Sequence, residues 1–106
     1  MGYEYDAIPN DVDDYRRRRD TLPLEFESLP TFSRSVGVHE VWLSDPQRPE
    51  GGWEEVQLVF GQDGVRLTCM TALSASVRQD LRVVLASIGG AGGARYVDDD
   101  GEPASF

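Results

Sequence analysis

The chain has no lysine at all, one histidine (His39) and one cysteine (Cys69). Each scarcity excludes something. A lone cysteine cannot build a disulfide framework. One His and one Cys cannot supply the ligand cluster of a zinc site. No run of about 18 apolar residues occurs, so a transmembrane helix is not expected. Residues 1–14 have neither a basic region nor an apolar stretch, so no signal peptide is expected there and a cytoplasmic location is the default expectation.

What the chain does have is acid. Nineteen Asp and Glu residues face ten Arg, giving a formal charge of −9 over 106 residues. A free-standing binder of DNA or RNA is therefore not expected, because phosphate binding needs net positive charge. The charge is blocked: residues 1–14 sum to −5, 15–36 to +2, 37–63 to −5, 64–96 to +3 and 97–106 to −4. Arg-only basic usage points to a GC-rich bacterial gene.

Hydrophobic residues at 40% and charged residues at 27% fit one ordinary globular domain. Asn10 to Arg19 reads as a short polar helix, with Asn10 as N-cap, acids in the first turn and four Arg in the last. Asp13–Arg17 and Asp14–Arg18 are i,i+4 pairs that support it. Leu22, Leu24 and Phe26 alternate with Pro23, Glu25 and Glu27, which predicts a half-buried extended segment, and the flanking prolines place it at a sheet edge. Ser35–Leu43 and Trp53–Phe60 read as strands, joined by a Ser44–Gly52 loop. Asp63-Gly64 marks a hairpin whose return strand carries Val65, Leu67 and Cys69, with Phe60 expected opposite Leu67 and Leu58 opposite Cys69.

Val77, Leu81, Val84, Leu85 and Ile88 form one apolar stripe at helical spacing, with Ser76 or Ser74 as cap and Gly89-Gly90 as stop. Ala91–Gly93 reads as a flexible link, Ala94–Val97 as a short strand and 98–106 as an acidic turn and tail. The expected fold class is α+β: a single domain over 1–106, with an antiparallel sheet of about four strands, one amphipathic helix packed on one face and a short polar N-terminal helix.

Motifs for catalysis are thin. Asp98-Asp99-Asp100-Gly101-Glu102 resembles part of a calcium loop, but counting back from Gly101 puts Tyr96 where the first acidic ligand belongs. A solvated acidic turn is the better reading, and no metal or cofactor is expected. Asp11-Val12-Asp13-Asp14 is accounted for by helix capping. A His39–Cys69 pair would need the thiol off the apolar hairpin face, where a small buried cysteine is the common case. The Arg16–Arg19 run follows five acids, so a self-paired helix is preferred over a nucleic-acid patch.

Aromatic residues among acids are more suggestive. Trp42 and Trp53 flank the central loop, and Glu40, Asp45, Glu50, Glu54 and Glu55 surround them. Tryptophan is enriched at interface hot spots, and acids complement a basic partner. Asp98, Asp99 and Asp100 add a second candidate contact surface. The expectation is thus a non-catalytic acidic interaction domain that binds a protein partner with a basic surface, and neither nucleic acid nor membrane. Its most concrete form is an inhibitor or immunity-type protein that neutralises a bacterial toxin or nuclease by covering a basic site. Two alternatives stand beside it: a small enzyme or ligand-binding subunit with a pocket between sheet and helix, and a phage or secretion-system assembly subunit.

Overall fold

Period-two alternation runs through most of the strands, and the sheet turns it into two unlike faces. In a computed structural model, which describes residues 2–46, 55–70, 73–98 and 100–103, the elements follow in the order β1 (Gly2–Pro9), α1 (Val12–Arg18), α2 (Leu22–Glu25), a 3-10 turn (Phe26–Ser28), β2 (Phe32–Ser35), β3 (Glu40–Leu43), β4 (Val56–Phe60), β5 (Val65–Met70), α3 (Ala75–Gly89), a second 3-10 turn (Gly90–Gly92) and β6 (Ala94–Asp98). The strands form one antiparallel sheet in the order β2-β3-β4-β5-β1-β6. The α+β class is as expected, but the sheet has six strands rather than about four.

One face is apolar. Ala7, Val41, Leu43, Val56, Leu58, Phe60, Val65, Leu67 and Cys69 all point inward and are buried. They merge with the α3 stripe (Val77, Leu81, Val84, Leu85, Ile88) and with Tyr15, Leu22 and Phe26 into one core cluster. All three helices thus contribute buried apolar side chains to the core on this side of the sheet.

Several local readings are corrected. The N-terminal acidic block, which shows no strand signal in its summed charge, is an eight-residue strand, Gly2–Pro9, inside the sheet between β5 and β6. Tyr3, Tyr5 and Ala7 share a face with Cys69, Leu67 and Val65, while Glu4 and Asp6 lie on the other face with Arg66, so the acids cost no buried charge. Residues 22–30 are not extended: Thr21 stands at the N-cap and Pro23 lies in the first turn of α2, where its missing N–H is harmless. Leu22 and Phe26, four apart, are buried and Leu24 is exposed, so helical spacing prevails over alternation.

The single strand expected over Ser35–Leu43 is a hairpin. Gly37 has φ +64, a left-handed conformation that glycine adopts without a Cβ penalty, and Val36 N–H donates to Glu40 O at 3.0 Å across the turn. The β4–β5 pairing is shifted by two residues from expectation: Phe60 pairs with Val65, Leu58 with Leu67 and Val56 with Cys69. A two-residue shift keeps every side chain on its predicted face. The turn is four residues long, closed by Gly61 N–H to Gly64 O at 2.8 Å. The Tyr15 hydroxyl donates to Gly61 O at 2.8 Å and lies 3.2 Å from Gly64 O, pinning the turn from α1. A Cβ on Gly64 would stand 2.6 Å from Ala7 O, so only glycine lets this turn lie against β1.

The helix caps are also reassigned. Asp11, not Asn10, accepts from Asp14 N–H at 3.0 Å, and Asn10 instead binds Gly92 O through its side chain and Gly93 O through its backbone N–H. Residues 91–93, read as a flexible link, are thereby held, 91 and 92 within the second 3-10 turn and Gly93 as its C-cap. Ser74 caps α3, accepting from Val77 N–H.

The Arg run does more than pair within its helix. Asp14 takes both Arg18 (2.9 Å) and Arg17 (3.6 Å). Arg18 also donates to Ser87 O (2.6 Å) and Ile88 O (3.2 Å), a cation on the open carbonyls of the α3 C-terminus. Arg19 donates twice to Phe60 O, at 3.1 and 3.0 Å, and Arg16 pairs with Asp63.

Candidate interaction face

The other face of the sheet carries the chemistry. Strand register places its side chains in two rows. One row runs Arg34, Trp42, Gln57, Thr68, Glu4; the other runs Glu40, Val59, Arg66, Asp6, Val97. Trp42 is half-buried, its Nε1 donates to the Glu40 carboxylate, and the Arg34 guanidinium carbon lies 4.1 Å from the ring centroid. The ring is thus held between a cation and a carboxylate in one orientation, which removes rotamer freedom that a binding anchor would otherwise lose.

On the next strands Arg66 donates to Glu4 at 3.1 Å and, through two nitrogens, to Asp6 at 3.2 and 3.3 Å. Val59 stands exposed beside them, and Asp6, Ile8, Val59 and Arg66 line a shallow groove of ≈ 360 Å³ that ends at the Gly61–Gly64 turn. The facing side chains of α3 and the sheet belong to one buried cluster, so this groove lies on the opposite side of the sheet from the pocket that the sequence suggested between sheet and helix.

The predicted contact residues separate. Glu40 and Trp42 sit together on the open face. Asp45 follows β3, with its backbone N–H bonded to Glu55. Glu50, Trp53, Glu54 and Asp99 lie outside the described residues. Asp98 and Asp100 lie at the far edge of the sheet. β6 is four strand positions from β3, about 19 Å at ordinary strand spacing. Asp98 Oδ1 accepts from Asp100 N–H (3.0 Å) and Glu102 N–H (2.9 Å), so this oxygen is taken up by its own turn.

Glu55 is the clearest correction. Expected on an outer acidic surface, it is only 5% exposed. Its carboxylate accepts from Asp45 N–H (2.8 Å), Ser74 N–H (2.6 Å) and Ser74 Oγ (3.1 Å), joining the end of β3 to the start of α3. Glu55→Ala leaves those part-buried donors without their acceptor and is expected to lower stability by about 1–3 kcal/mol in urea denaturation.

Among the described residues, the three acidic blocks therefore do not form one patch. Among the described residues the open face carries Glu4, Asp6 and Glu40 against Arg34, Arg66 and Arg95, a balanced set. Surplus acid lies around its margins, at exposed Asp13, Glu25, Glu27, Asp100 and Glu102.

The His39–Cys69 idea fails on geometry. His39 O accepts from Phe60 N–H at one end of β4, whereas Cys69 pairs with Val56 at the other, about 13 Å along the strand. His39 Nε2 is 2.9 Å from Asp20, with Arg19 beside Nδ1 at 3.4 Å. Burial pushes the Cys69 thiol from 9.0 up to about 11, away from thiolate reactivity.

Sequence reasoning missed Glu4, Asp6 and Arg34 as members of this face, and it did not single out Val59 and Arg66 as contact residues although strand alternation turns both away from the apolar side. The alternation of Tyr3-Glu4-Tyr5-Asp6-Ala7 was the available signal for the first two. Compared with protein-family models, with curated proteins and with solved structures, the chain matches none.

Proposed function

We propose that the chain is a non-catalytic protein-interaction domain whose open sheet face docks a partner with a basic surface. The observation that carries this reading is Trp42, half-buried and clamped between Arg34 and Glu40 on a sheet face opposite the helix-covered core. Tryptophan and arginine are the residues most enriched at interface hot spots. The net charge of −9 speeds encounter with a positively charged target even where the docking face itself is balanced. The most concrete form is an inhibitor or immunity-type protein that covers the basic site of a bacterial toxin or nuclease.

Trp42→Ala tests the reading against the purified proteins encoded beside this chain. The dissociation constant of a cognate neighbour is expected to rise by roughly 30-fold or more, the effect of losing a hot-spot anchor. An unchanged constant for a neighbour that does bind would remove Trp42 and its face from the account.

A further inference from the structure

The outer edge of β2 offers backbone rather than side chains. β2 is the first strand of the sheet and, among the described residues, has one neighbour, β3. The opposite edge is partly closed, because Pro103 bridges to Val97 and Asp98 N–H bonds to Glu102 O at 2.9 Å. At β2, Val36 N–H donates inward to Glu40 O. In an antiparallel ladder, donors alternate between the two sides of a strand, so Ser35 N–H points away from β3 to the open edge. From Phe32 through Val38 the segment carries a single charged side chain, Arg34, and that guanidinium lies over Trp42. Edges that must stay unpaired are usually guarded with charge or proline, and here the register irregularity between Phe32 and Arg34 is the guard on view.

Two features say what fits. Glu25 and Glu27 are exposed and carry no ion pair among the described residues; Glu27 sits on the 3-10 segment that packs against β2, and Glu25 ends α2 just before it. Val36, 45% exposed, follows the strand's end, and Val38, 66% exposed, stands in the hairpin turn beside it. A strand carrying cations and alternate apolar side chains complements both. A second copy of this chain would bring another −9 and is disfavoured by charge.

We infer that β2 accepts an extended basic segment of the partner as a seventh strand, held by main-chain hydrogen bonds at Ser35 and by cations at Glu25 and Glu27. This rests on the basic-partner reading above and names how part of that partner binds. The probe is an acetylated Lys-Val-Lys-Val-Lys-Val peptide added to the 15N-labelled full chain, with Glu-Val-Glu-Val-Glu-Val as control. The basic peptide is expected to shift the Ser33 and Ser35 amides and slow exchange at Ser35 at least tenfold, while the acidic peptide does neither. Ser35→Pro is expected to abolish the effect. Should that variant misfold, the exposed double variant Glu25→Lys with Glu27→Lys is expected to weaken the basic peptide at least tenfold and admit the acidic one.

Several results overturn the inference. Shifts centred on Trp42 and Val59 instead of β2 would do so while leaving the basic-partner reading intact. Equal binding of both peptides would remove the charge argument, and no binding at millimolar concentration would remove the edge site. A dimer in the free chain with Ser35 already protected would mean that a second copy takes the edge. The Trp42→Ala measurement on a cognate neighbour decides the broader reading separately.

Discussion

Between pH 9 and pH 12 the fold is expected to lose on the order of 5 kcal/mol of stability, through two buried acids that resist ionisation. Burial raises the Cys69 thiol from 9.0 to about 11 and the Tyr15 phenol from 10.0 to about 12, with Arg19 and Arg18 partly opposing the second shift. Well below pH 9 both groups are protonated whether the chain is folded or not, and their contribution is fully present. As pH rises, the unfolded chain releases the thiol proton and then the phenol proton, while the folded chain keeps both. Stability falls as pH climbs from the unfolded values toward about 11 and about 12 and levels off above them. A two-unit shift corresponds to about 3 kcal/mol for each group. Urea denaturation at half-unit pH steps measures the slope. Cys69→Ala is expected to remove the lower part of the decline, and Tyr15→Phe the upper part. A flat profile to pH 11 would contradict the burial of Cys69.

Phe60→Ala is expected to cost about 3–5 kcal/mol, the range for deleting a buried aromatic ring from a packed core. The residue is 1% exposed and stacks on Phe26 with ring centroids 5.9 Å apart. It also occupies the point where three parts of the chain converge. Its carbonyl takes Arg19 from the end of α1, its N–H reaches His39, and the Tyr15-pinned turn follows directly. Those backbone bonds survive the substitution, so the loss measures packing alone. Small domains hold only about 5–15 kcal/mol in total, so a melting temperature lower by at least 10 °C is expected in calorimetry. A shift under 3 °C would mean the Phe26–Phe60 pair is not a core contact.

The sequence discloses its periodic parts well. The α3 stripe, the apolar faces of β4 and β5 and the buried Cys69 follow from spacing alone, because burying one face of a helix or strand leaves a fixed period in the chain. What it hides are the places where a tertiary partner decides the outcome. Gly2–Pro9 looks like an acidic arm until Arg66, sixty residues away, supplies the countercharge for Glu4 and Asp6. Leu22–Ser28 has strand alternation and helical spacing at once, and the Leu22–Phe26 contact with the core selects the helix. The hairpin register depends on Tyr15, which no local rule connects to Gly61 and Gly64. At the candidate site, Glu40 and Trp42 were legible as an aromatic–acid pair. Glu55 was misassigned because a carboxylate beside a strand gives no local sign that Ser74 and Asp45 will turn it inward. The even charge of the open face was likewise invisible, since cross-strand pairing brings Arg34 and Arg66 onto it.

The docking proposed for the sheet face opposite α3 makes the two sides of the molecule separable by experiment. Core variants such as Phe60→Ala act on stability, whereas open-face variants such as Trp42→Ala should leave the melt nearly unchanged and act on binding. The most direct measurement is the footprint of a cognate neighbouring protein on the 15N-labelled chain. Amide shifts and slowed exchange are expected to concentrate on Glu40, Trp42, Gln57, Val59 and Arg66, on the face away from α3, and on Ser35 at the β2 edge. A footprint on the outer surface of α3, around Arg78, Arg82 and Val83, with the sheet face unperturbed, would contradict it.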